Sequence, residues 1–78
     1  MGLARIERER AARGEGCLGK AADDEPVFIL RGQDMLAPDL VELWAEMAEG
    51  HRCDPAKVAE ARELAAKMRA WPIRKYPD

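Results

Sequence analysis

Two stretches with helical spacing of apolar residues stand either side of a four-residue break, and this arrangement constrains the chain more than any other feature. Around Pro38–Glu49, the residues Leu36, Leu40, Leu43, Trp44 and Met47 make one apolar stripe, and Glu42, Glu46 and Glu49 occupy another side. Pro38 suits a first helical position, Asp39 complements the positive helix end, and Gly50 is expected to stop the helix. The second stretch opens at Asp54-Pro55, an N-cap followed by a proline at the first position, and runs to about Trp71 before Pro72. Ala61, Leu64, Ala65, Met68 and Trp71, joined by Val58, form its stripe, and Glu63 pairs with Lys67 on the outside. Gly50–Cys53 is short enough to turn the two helices antiparallel. The expected fold is mainly α: an antiparallel helical hairpin, about 38–49 and 54–71. Its expected core sets Leu40, Leu43, Trp44 and Met47 against Ala61, Leu64, Ala65 and Met68.

The remaining chain offers less to bury. Leu3–Arg13 has helical propensity, with Glu9 and Arg13 in the favourable i,i+4 order, but its apolar face is only Leu3 and Ile6. It reads as a peripheral N-terminal helix, broken by Gly14, Gly16 and Gly19. Gly14–Pro26 reads as a loop. Val27–Leu30 is a short apolar, β-branched and aromatic run between Pro26 and Gly32. It reads as an extended segment, paired with the tail Pro72–Tyr76 or with a second chain, or else laid on the helix pair. The division is therefore 1–26, an arm of helix and Gly-rich loop, and 27–78, a hairpin core with an extended tail. Seventy-eight residues, 14 of them alanine, give a small core, and self-association is the usual way to enlarge one.

Charge is segregated. Residues 26–50 carry one basic and five acidic groups, and residues 51–78 carry seven basic and four acidic. The acidic side of the first hairpin helix is thus placed to lie near the basic side of the second. The overall charge of −2, with no long basic run, argues against direct nucleic-acid binding. No apolar run reaches the roughly 18 residues of a membrane span, and no secretory leader is recognisable. The expected compartment is the cytoplasm, with Cys17 and Cys53 reduced.

Three motifs invite chemistry. Gly14-x-x-x-x-Gly19-Lys20 matches a phosphate-binding loop until Ala21 takes the place of Ser or Thr. It follows a charged helix rather than a strand, and Asp23-Asp24-Glu25-Pro26 follows it, so a flexible hinge is the expected reading. His51, Cys53 and Cys17 supply only three soft ligands without a paired cysteine spacing, which argues against zinc. The chain contains no Ser and no Thr, and a Cys53–His51 pair lacks an orienting group. The sequence therefore predicts no enzyme, no cofactor and no metal.

The stretches GCLGKAADDEPVFIL (16–30), QDMLAP (33–38) and WPIRKYPD (71–78) resemble small uncharacterised proteins encoded by phages and prophages of high-GC proteobacteria. The resemblance covers most of the chain from Gly16 onward. It implies a small accessory viral protein that works by binding, in the host-cell cytoplasm. Small acidic phage proteins include inhibitors of host defence such as anti-CRISPR proteins. The expected function is protein–protein binding through Glu42, Glu46 and Glu49, with Trp44 and Trp71, which at helical spacing are more often core, as further contact candidates. The alternative is a small structural component of a virion or homo-oligomer.

Overall fold

The structure, a computed structural model, describes residues 1–77; Asp78, the last residue of the expected tail, lies outside the described residues. Four helices follow one another: α1 (Ala4–Ala12), α2 (Gly16–Lys20), α3 (Ala37–Gly50) and α4 (Pro55–Ala70). Helix α1 packs on α2 and α3 packs on α4. The molecule is mainly helical, and its centre is the expected antiparallel hairpin.

The hairpin begins and ends where local chemistry dictates. Asp34 Oδ1 accepts a hydrogen bond from Leu36 N at 2.8 Å, which tightens the entry to α3. Asp54 caps α4 by accepting from Ala56 N at 2.9 Å, and Pro55 fills the position whose N–H would be orphaned. The turn departs from expectation. Gly50 is the last residue of α3 rather than its stop. The left-handed residue is Arg52, at φ 57°, and Cys53 N returns to Ala48 O at 2.9 Å. A non-glycine residue with a Cβ there carries a steric cost.

The buried face of α3 also departs from expectation. The stripe Leu40, Leu43, Trp44 and Met47 does not face α4; its members are 44–58% exposed. The core is instead Ala37, Ala45, Ala48, Val58, Ala61, Ala65 and Met68, with Val41 and Met1 packed against its centre. Leu64 is only half-buried. At about 100° per residue, the packed face of α3 lies roughly a third of a turn from the leucine stripe. Exposed ion pairs match this rotation: Arg62 meets Glu49 and Arg69 meets Asp39 and Glu42. Turning the leucines inward would carry these carboxylates to the far side of α3, away from their arginines.

The stretch expected to be a loop contains α2. Gly14 and Gly16 take φ of 71° and 74°, and a Cβ on Gly19 would lie 2.8 Å from the Gly14 carbonyl carbon. The three glycines therefore build a tight corner between α1 and α2, two by backbone conformation and one by close approach. Residues 27–30 form neither helix nor strand, and Val27, Phe28 and Ile29 are exposed, Phe28 at 83%. The expected pairing of this segment with the tail is not formed as a strand among the described residues. The tail bonds further along: Met35 N donates to Lys75 O and Lys75 N to Gln33 O, both at 2.8 Å, a parallel bridge of Asp34 with Lys75.

Candidate interaction surface

Helix α3 presents three faces, each set by its residue spacing. One is the alanine face against α4. The second is acidic. Arg69 donates from Nη2 to Asp39 Oδ1 at 2.7 Å and to Glu42 Oε2 at 3.0 Å, and from Nη1 to Glu42 Oε1. Arg62 Nη1 donates to Glu49 Oε2 at 2.7 Å. These hydrogen bonds hold the Glu42 and Glu49 carboxyls below their ordinary range and raise both guanidinium groups above theirs. Glu46 lies on the same side, exposed and close enough to Arg62 to add to its field. Two of the three glutamates expected to meet a partner are thus already ion-paired within the hairpin, while staying about half exposed or more.

The third face is the leucine stripe with Trp44, about half exposed on the flank away from the arginines. The structure does not bring the five expected binding residues together. Glu42, Glu46 and Glu49 share one flank, Trp44 lies on the other, and Trp71 is the C-cap of α4 beyond them, exposed beside the close passage of Gly32.

The chain from 27 to 35 and the tail make a further surface that residue spacing did not reveal. Ile29, Arg31, Gln33, Asp34, Lys75 and Tyr76 wall a shallow cleft of about 270 Å³. Phe28, Ile73 and Tyr76 are each about two-thirds exposed or more. Arg74 donates to Asp34 O at 3.5 Å, while its buried Nε finds no partner among the described residues. The signal that could have found this surface is the run of large apolar residues in segments with no helical period.

Cys17, Cys53 and His51 are all exposed, and among the described residues no three His, Cys, Asp or Glu side chains converge as a metal site. The Gly14–Lys20 stretch is occupied in turning α1 onto α2, with Lys20 exposed at the end of α2. No described helix is long and apolar enough to cross a membrane. No family model matches this sequence, and no curated protein and no solved structure matches it.

Proposed function

We propose that this protein is not an enzyme and acts by binding another protein, as a small phage-type accessory protein in the host cytoplasm. Its narrower form is inhibition of a host defence system of the anti-CRISPR kind. One observation carries the reading: the large apolar side chains are on the outside. Phe28, Ile29, Trp71, Ile73 and Tyr76 are more than half exposed, on a chain whose core is alanine, valine and methionine. Exposed apolar surface of this extent marks contact with a partner, and aromatic side chains dominate such contacts. Glu46 and the partly exposed carboxylates beside it add a negative rim that would steer a basic partner at low salt. The defence-inhibitor form rests on the resemblance to phage-encoded proteins.

The test is biological and then local. The chain is expressed in a host with an active CRISPR system, and the plating of a targeted phage is scored. Restored plating that Phe28→Ala with Tyr76→Ala abolishes, in a variant that keeps its helical circular dichroism, supports the reading. Unchanged plating removes the narrower form. Retention of the chain in purified virions supports the structural alternative, a virion component, which the unpartnered stripe of α3 favours.

A further inference from the structure

We propose that the exposed seam Leu36, Leu40, Leu43 and Met47 of α3 is the contact for a second copy of this chain, the two α3 helices lying side by side and parallel. This inference does not rest on the binding function above, since a dimer serves an inhibitor or a structural component equally.

The spacing of the seam is the first argument. Steps of four, three and four residues are those of a coiled-coil seam, which fits a helix and not a flat surface. The four residues and neighbouring Trp44 are all exposed, so the seam is formed and unpartnered. Area is the second. Trp44 at half exposure offers about 100 Å² and each leucine or methionine somewhat less, so the five offer about 400–500 Å² of apolar surface per copy. With the stems of flanking residues, that approaches the ~800 Å² per partner of a stable interface. The third argument names the occupant. No large side chain is fully buried among the described residues, so the single chain has too little core. A second copy is the partner present wherever the chain is, and association is how small domains supply missing core.

Rim chemistry fixes the direction. In the numbering of the seam, Asp39 and Glu46 flank one edge of it, and Trp44 and His51 flank the other. Two parallel copies set each carboxylate edge against the other copy's indole and imidazole edge, acceptor against N–H donor. Two antiparallel copies would set carboxylates against carboxylates, which repel. Asp39 keeps most of its surface for this contact, since its side chain is 82% exposed even with Arg69 bonded to it.

Sedimentation velocity of the full chain from low to high micromolar concentration tests the dimer. The mass of two chains is expected, and Leu43→Lys should weaken association about a hundredfold or more, since each copy loses a buried leucine. Direction is read independently, and in otherwise native chains, by Leu36→Cys in a Cys17→Ser, Cys53→Ser background. Parallel copies bring the two new thiols within disulfide reach, so a covalent dimer forms on mild oxidation. A wild-type chain that stays single at every concentration overturns the proposal. So does a dimer that Leu43→Lys leaves intact, and so does a dimer in which Leu36→Cys chains do not cross-link.

Discussion

Replacing Ala61 with leucine should damage this fold more than removing a leucine from it. Ala61 is fully buried against Ala45, Ala48 and Val58, where two helices meet through side chains of one or three carbons. Leucine adds three carbons to that seam. Overpacking a filled core costs typically 1–3 kcal/mol, and here relief requires moving a helix, so the upper value, about 3 kcal/mol, applies. A domain of this length has roughly 4–12 kcal/mol in total at about 0.05–0.15 per residue, and the small core sets it near the lower bound. The substitution should therefore remove most of the stability and lower Tm by about 12–24 °C. Leu43→Ala is the counterpart. An ordinary buried leucine costs about 2–5 kcal/mol when truncated, but Leu43 is half exposed, and within one chain its loss should cost less than about 1 kcal/mol. Urea melts followed by far-ultraviolet circular dichroism, repeated over a range of chain concentrations, separate the two. The Ala61→Leu loss should be the same throughout. The Leu43→Ala loss should fade at the lowest concentration, where any self-association is dissolved. A tolerated Ala61→Leu together with a Leu43→Ala loss above about 2 kcal/mol at that lowest concentration would refute the reasoning and put the leucine stripe inside the hairpin.

Arg52→Gly should stabilise the chain by about 1 kcal/mol, read as a raised urea midpoint at unchanged slope, because the left-handed turn position would lose its Cβ clash. Glu42 and Glu49 have carboxyls held below the ordinary 4.5 by Arg69 and Arg62, so their contribution is complete above that pH and is lost as pH falls through the lowered folded values. Thermal melts should show this decline on acidification, and the double variant Arg62→Met, Arg69→Met should flatten it. Gly19→Ala should open the corner of α1 and α2, where its Cβ meets the Gly14 backbone, leaving the hairpin alone. Amide exchange should accelerate over residues 4–20 and stay unchanged in α3 and α4.

The hairpin was legible because its punctuation is local. Pro38, Asp54-Pro55 and Pro72 set boundaries that the structure moves by about one residue. The face that packs was not legible, because ranking residues by apolar size selects Leu40, Leu43, Trp44 and Met47. Ala37, Val41, Ala45 and Ala48 carry the same helical period with smaller side chains, and smallness is what lets two helices approach. The segregation of charge did foretell Arg62 and Arg69 beside the acids of α3. It did not foretell that these contacts would consume Glu42 and Glu49 within the chain. Trp44 and Trp71 have a clear place in the helical pattern, yet the pattern carries no information on whether they share a surface. The pairing of Gln33–Met35 with Lys75 joins segments distant in sequence and without strand character, so no local signal marks it.

That pairing also orders events in time. The hairpin closes over a four-residue turn, whereas joining Asp34 to Lys75 in an unfolded chain closes a loop of about 40 residues, at a cost of about 2 kcal/mol more in chain entropy. Once α3 and α4 have paired, the start of one and the end of the other are already neighbours, and this extra cost disappears. The tail is therefore expected to latch after the hairpin has formed and to release first on the way out. Its two backbone bonds hold the native state back from unfolding while leaving the speed of folding to the hairpin alone.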